Sequence, residues 1–206
     1  MLKVWPGQST AQVLMKMAKD RQADRDAANP EIRRKIKRVS FMEGKQQALV
    51  NARLELARAV DSDDSYRERL VRFWADHFTV IARGASQLPM TTAFADDAIR
   101  PNIAGRFATL LRAAITHPAM LTYLNQSSSV GPDSVFGQRV GRGLNENLAR
   151  ELLELHTLGV DGGYTQTDVR QAALLLTGLS VNVEKGTVYL DKRAEPGAET
   201  VLGKSY

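Results

Sequence analysis

Between residues 65 and 78 the chain carries its clearest folding instruction. Leu70, Phe73, Trp74, His77 and Phe78 recur at i, i+3, i+4, i+7 and i+8, the spacing that gathers side chains onto one face of an α-helix and that a strand would scatter over both of its faces. A core-facing helix is predicted, with Ser65 and Glu68 as a capping box at its start. The signature repeats along the chain. Ser9 and Gln12 form a capping box ahead of Val13, Leu14 and Met17, and Asn29 with Pro30 ends that helix and opens the next. The second helix continues the apolar period through Leu49, Leu56 and Val60, with Gly44 as its weak point. Pro101 opens a helix through Phe107, Leu110 and Ala114, and Pro118 a short one, with His117 as cap or turn residue. Asn145 caps a run closed by Gly159, and Thr165 with Asp168 caps a last helix closed by Gly178. Only Val181 to Leu190, around Glu184, Lys185 and Gly186, alternates as a β-hairpin does. The expected fold is therefore all-α: an irregular multi-helix bundle with a small C-terminal β-hairpin.

A length of 206 residues is about one to one and a half typical domains. One helical domain is expected, in which 1–44 form a basic N-terminal helical extension, 45–180 the helical core, and 181–206 the hairpin and a tail. The 43% apolar and 25% charged content excludes a chain disordered throughout. No run reaches the ~20 apolar residues of a membrane span, and the start lacks the ~7–15-residue apolar core of a signal peptide. Location is left open: cytoplasmic by default, periplasmic if the native N-terminus lies upstream. With no cysteine, disulfides, thiolate metal sites and cysteine nucleophiles are all excluded. The Ser- and Gly-rich stretch from Asn125 to Gly143 exceeds the ~12–15 residues usual for a loop, and its middle is expected to be mobile.

Charge is uneven. The net charge is +5, yet residues 1–60 hold 13 Lys and Arg against 6 Asp and Glu, so the remainder is slightly acidic. Arg33, Arg34, Lys35, Lys37 and Arg38 form the densest basic stretch, flanked by Ile32, Ile36 and Val39 at helical spacing. Such a helix can meet nucleic acid or an anionic surface. No aromatic residues interleave to stack bases, so a solvated helix face is the preferred reading.

Several catalytic motifs are imitated and fail. Ala198 to Ser205 (AETVLGKS) resembles a phosphate loop but has alanine in place of the first glycine and no helix after it. Gly141 and Gly143 lack the third glycine of a dinucleotide loop, and neither a GxSxG elbow nor an HExxH pair occurs. No nucleotide cofactor is expected.

The more informative feature is the helix from Asn145. At ~100° per residue, Leu144, Leu148, Leu152, Leu155 and Leu158 make one stripe, with Glu151 inside it and Asn147 and His156 at its margins. His77 sits mid-stripe on its own helix. A carboxylate on a leucine face needs a partner or a proton. The candidate catalytic or metal-ligating residues are therefore His77, Glu151 and His156, with Asn147 and Arg150 as binding residues and a divalent metal as the one cofactor such donors suit. The structural reading, in which these groups tie helices together and Arg150 or Arg142 or His77 neutralises Glu151, is preferred over the catalytic one.

FWADHFTV (Phe73 to Val80), THPAMLTYLN (Thr116 to Asn125), GPDS (Gly131 to Ser134), NENLARELLELHTLGVDGGYTQTDV (Asn145 to Val169) and LTGLS (Leu176 to Ser180) resemble the bacterial family called domain of unknown function 1800. The resemblance covers roughly residues 45–206. It implies members about twice this length, some with export signals, so the chain is expected to be a fragment or shortened member. Leu179 stands where the family carries tryptophan, read as a packing change. The family supplies no mechanism. The leading functional reading is thus a non-catalytic interaction or structural module. Leu174, Leu175 and Leu176 spread over ~200° of a helix, so self-association or a protein partner covering the C-terminal third is expected. The alternative is a metal-assisted hydrolase or related enzyme built on His77, Asn147, Glu151 and His156. Nucleic-acid binding through Arg33 to Arg38 is favoured least.

Overall fold

The structure, a computed structural model, describes residues 7–84, 87–141 and 143–206. Nine α-helices and two two-stranded antiparallel sheets are found among them, so the chain is mostly helical with its strands confined to the C-terminal end. No helix among the described residues is long and apolar enough to cross a membrane. Contacts divide the chain into two compact units, Met1–Ala114 and Ile115–Tyr206.

The first unit is built on α1 (Thr10–Asp26), α2 (Pro30–Asp61), α3 (Ser65–His77), α4 (Leu88–Phe94) and all but the last residue of α5 (Phe107–Ile115). Helix α1 begins where the sequence places it, with Ser9 and Gln12 in a reciprocal capping box, and Asn29 caps α2 by accepting from the Glu31 and Ile32 amides. Helix α4 packs on both α1 and α2 and continues into one wide π-helical turn, Ala95–Ile99, in which Arg100 N–H reaches the Ala95 carbonyl. Val13, Leu14, Met17, Val71, Phe78, Met90, Phe94 and Ile99 supply the buried apolar mass.

Three details differ from expectation. Helix α3 is capped by Asp64, which accepts from Arg67 N–H; Ser65 already lies inside the helix, so the Glu68 carboxylate is released for a tertiary contact. Its inward face is centred on Val71 and Phe78, which leaves Phe73 61% exposed and Trp74 and His77 half-buried. Pro101 lies in a turn, and the helix it was expected to open starts only at Phe107.

Helix α2 departs furthest from its sequence pattern. It runs unbroken for 32 residues through Gly44, which is buried and lines a cavity of about 350 Å³ together with Val13 and Pro89. Its buried residues are Gly44, Asn51 and Arg58, seven apart. The apolar residues Leu49, Leu56 and Val60, expected to face the core, are all exposed.

In the second unit, His117 Nδ1 accepts from Ala119 N–H to cap α6 (Pro118–Tyr123). The stretch expected to be loosely ordered contains a short 3-10 turn, Gln126–Ser128, and α7 (Val135–Val140). Gln126, Ser129, Val130, Ser134 and Gly137 are buried within it. The reason is close backbone approach. Gly131 N–H donates to the Arg193 carbonyl at 2.9 Å, and a Cβ on Gly131 would fall 2.6 Å from Glu195 N. A Cβ on Gly137 would fall 2.1 Å from the Gly131 carbonyl oxygen. Glycine lets this segment seat directly on residues 193–195.

Helices α8 (Asn147–Glu154) and α9 (Gln166–Leu175) pack together, and Ala149, Leu153, Val169, Ala172, Ala173 and Val201 form the core between and beyond them. Of the three consecutive leucines on α9, Leu174 is buried and Leu175 is exposed. The predicted hairpin forms as β1 (Leu179–Asn182) and β2 (Gly186–Tyr189), with Leu179 opposite Tyr189 and Asn182 opposite Gly186. A second hairpin, absent from the sequence expectation, pairs β3 (Thr200–Val201) with β4 (Lys204–Ser205). Its turn places Leu202 and Gly203 at φ 52° and 75°, the paired left-handed conformation that a two-residue hairpin requires. The imitation phosphate loop is therefore a β-turn. It docks on α9, where Asp168 accepts from Leu202 N–H and Gln171 from Thr200 N–H.

Candidate functional site

The candidate donors fall in different units: His77 in the first, Asn147, Arg150, Glu151 and His156 in the second. His77 closes α3 half-buried, its ring edge-on to Phe78 at 4.7 Å and to Trp74 at 5.3 Å. These rings continue through Phe107, whose centroid lies 5.7 Å from that of Trp74.

The N-cap of α8 is Glu146, which makes no side-chain cap bond, and Asn145 lies one residue before it. Its Oδ1 accepts from Asn147 N–H while its Nδ2 donates to the Leu124 and Asn125 carbonyls, so one amide side chain both starts α8 and anchors it to the preceding loop. Asn147 is exposed on the first turn of α8. Arg150 is held by Glu154 Oε1 at 2.8 Å, Glu146 Oε2 at 3.3 Å and Gln166 Oε1 at 2.8 Å. The hydrogen bond to Glu154, then the two carboxylate charges, hold its guanidinium more firmly protonated than usual.

Helix α8 ends at Glu154, earlier than the leucine stripe implies. Beyond it, His156 N–H bonds back to the Glu151 carbonyl and Leu158 N–H to the Leu153 carbonyl. Leu155 N–H still makes a regular bond to the Glu151 carbonyl, so its exposure follows from a buried arc of Leu148, Ala149 and Leu153 that is turned away from the leucine stripe, while the wider turns beyond it carry Leu158 out of period. Glu151 is half-buried at the edge of that arc and His156 is buried beyond it. Burial, and secondarily the negative charge of Glu154, push the Glu151 carboxyl above the ordinary range. Among the described residues, no three His, Asp or Glu side chains stand close enough together to hold a metal ion. Arg142 lies outside the described residues.

In the basic stretch, Arg33 Nε donates to the Asp24 carbonyl and stands 3.6 Å from its carboxylate, and Lys37 is 3.8 Å from the same group. Arg34, Lys35 and Arg38 are exposed.

Sequence reasoning missed a four-residue charged cluster in the first unit. Asp96, on the π-helical turn, accepts from Arg58 at 2.6 Å and from Arg100 Nε at 3.1 Å, and Arg100 also binds Glu68. Burial works against the Arg100 charge, but the hydrogen bonds to Glu68 and Asp96 outweigh it and raise its pKa further. The four residues line one side of a cavity of about 310 Å³ shared with Val71, Thr79 and Phe94. Only the Asp96 to Arg100 spacing is a sequence signal, since i and i+4 are helical neighbours. Arg58 and Glu68 come from distant points of the chain.

These observations define a mostly helical chain in which, of the candidate residues, Arg150 is tied to a second helix through Gln166. The sequence profile of the family described as protein of unknown function (DUF1800) matches residues 6–206, and the chain belongs to that family. The match takes in α1 and the basic half of α2, well before residue 45. No curated protein and no solved structure matches the chain.

Proposed function

We propose that the chain is a non-catalytic helical interaction module whose working face in the second unit is the surface just after α8. The observation that carries this reading is the exposure of Leu155, Leu158 and Val160 at 54%, 41% and 68%. The segment is ordered by backbone and side-chain bonds, including Thr157 Oγ1 to the Leu152 carbonyl and the Tyr164 hydroxyl to the Val160 carbonyl. A rigid turn that presents three aliphatic side chains to water is a surface a protein partner or a second copy can cover. The engagement of Arg150 by three α8 and α9 side chains supports a structural rather than a substrate-binding role for it.

The competing reading is a metal-assisted hydrolase, favoured by one observation: the Glu151 carboxyl with its raised pKa. Calorimetric titration with Zn²⁺ and Mn²⁺, beside sedimentation of a Leu155→Lys, Val160→Lys double variant, separates the two. The interaction reading expects self-association or hydrophobic-dye binding that falls in the double variant at unchanged melting temperature, and no metal uptake that depends on Glu151. Metal binding abolished by Glu151→Gln, with sedimentation and dye binding the same in parent and double variant, would overturn it.

A further inference from the structure

Helix α2 turns its two faces the wrong way round for a helix serving only its own fold. Gly44, Asn51 and Arg58 point inward, and Ile32, Val39, Met42, Leu49, Leu56 and Val60 are exposed by 43% to 74%. The outward set falls on two seven-residue series, 32, 39 and 60 in one and 42, 49 and 56 in the other, offset by three. That is the alternating three-four spacing of a coiled-coil seam. Part of it forms a groove of about 630 Å³ lined by Val39, Met42 and Leu49 and by charged residues that include Lys35, Arg38 and Glu43. The missing positions of the seam are Lys35, Gln46 and Arg53, polar residues of the kind that fix register at a cost in affinity.

We propose that two copies of the chain associate through α2, antiparallel, along this seam. Charge selects the partner and the direction. The basic stretch lies at one end of α2, with Arg34, Lys35 and Arg38 exposed, and Asp61, Asp63 and Asp64 lie exposed at the other. A parallel pair would set the two basic ends against each other. An antiparallel pair sets each basic end beside the acidic end of the second copy, with the two-fold axis between Gln46 and Leu49. Val39 then faces Leu56 of the second copy, and Lys35 passes Val60 with its charge directed to the flanking aspartates. The basic residues that invited a nucleic-acid reading thus act as a registration device.

The contact area sets the strength. The seam runs ~42 Å at 1.5 Å per residue and is ~10 Å wide, so two copies cover roughly 900 Å² between them. This lies near the ~1,000 Å² floor for a specific interface, so a weak, concentration-dependent association is expected. The face belongs to the first unit and is independent of Leu155, Leu158 and Val160.

The test is sedimentation velocity of the 206-residue chain from about 1 to 200 μM, at low and high salt, since screening weakens charge pairing. Expected is a monomer–dimer equilibrium weakened by salt, and a drop in association of tenfold or more for Met42→Glu with Leu49→Glu. These side chains are exposed, so circular dichroism should be unchanged. Because the chain has no cysteine, a single thiol gives a second, fold-neutral readout: Gln46→Cys should cross-link with a short bis-maleimide, and Ile32→Cys should not. A monomer throughout the range, undiminished dimerisation of the double Glu variant, or efficient cross-linking through Ile32→Cys would each overturn the proposal. Association lost in the Leu155→Lys, Val160→Lys variant but retained in the α2 variant would instead assign the contact to the second unit.

Discussion

Removing the Asp96 carboxylate should expose how much of the first unit depends on one anion. Asp96 bridges Arg58 and Arg100, and the side chains of the trio are only 10%, 20% and 24% exposed in the order Arg58, Asp96, Arg100. Asp96→Ala leaves two guanidinium groups beside each other in a poorly solvated cavity, with Arg100 still bound to Glu68. Breaking a buried ion pair by deleting one partner costs about 3–5 kcal/mol. Allowing for the residual solvent contact and the surviving Glu68 contact, a loss of about 2–4 kcal/mol is expected. For a chain of this length each 1 kcal/mol moves the melting temperature by about 2–4 °C, so a fall of roughly 5–15 °C should follow. Urea unfolding followed by the fluorescence of the two tryptophans, Trp5 and Trp74, both before residue 115, and by far-ultraviolet circular dichroism measures it. The midpoint should fall with little change in slope. Arg58→Met combined with Asp96→Leu should recover part of the loss, because a matched apolar pair removes the uncompensated charge. A loss under about 0.5 kcal/mol for Asp96→Ala, the range of ordinary surface substitutions, would refute the reasoning. So would a double variant as damaged as the sum of its parts.

Gly137→Ala should destabilise more than Gly141→Ala in paired thermal melts: the first places a Cβ 2.1 Å from a carbonyl oxygen, whereas the second meets open space and bears only the strain of φ 60°, about 1–2 kcal/mol. Equal losses would count against the close approach at Gly131. Leu148→Ala should cost about 2–5 kcal/mol and Leu155→Ala under about 0.5 kcal/mol; the reverse order would restore the leucine stripe as the buried face. The Thr165 hydroxyl, then the backbone N–H groups of Leu202 and Thr165, hold the Asp168 carboxyl below its ordinary value of 3.8. Its stabilisation is complete above that value and lost as pH falls through the lower folded one, so Asp168→Asn should flatten the acid limb of a stability–pH curve, and parallel acid limbs would disprove the link. Glu151 has the opposite sign. Its raised pKa means that ionising it works against the fold as pH rises above the ordinary 4.5, so melts should find Glu151→Gln gaining on the parent at pH 7 relative to pH 4, and a gain confined to the acid side would contradict that.

Local signals survived well. The capping boxes at Ser9 and Thr165, the Asn29 cap with Pro30, His117 before α6 and the β1–β2 turn all formed as read, because each is decided within four or five residues. What the sequence hid was direction. Periodicity shows that Leu49 and Leu56 share a face with Val60, but not that Gly44 and Asn51 occupy the side where α1 and α4 arrive. On α8 the leucine stripe likewise does not tell that Ala149 and Leu153, rather than Leu155, occupy the side that α9 meets. The Arg58, Glu68, Asp96 and Arg100 cluster was illegible for a different reason, since its members are brought together by packing across 42 positions of sequence.

Asp96 and Asp97 are neighbours that serve different clients: Asp97 Oδ2 accepts from Thr10 N–H at the head of α1, while Asp96 serves the arginines. The π-helical turn that contains them fits an additional residue into one turn of helix. It works as a phase shifter between the part of α4 keyed to α1 and α2 and the part keyed to α3. A deletion that restored a regular α-helix would improve the local backbone and yet swing every later residue by ~100°, carrying Arg100 away from Glu68. A change of length here therefore shifts every later contact at once, whereas a substitution removes only the contacts of its own side chain, and insertions or deletions in related sequences should fall outside residues 95–99.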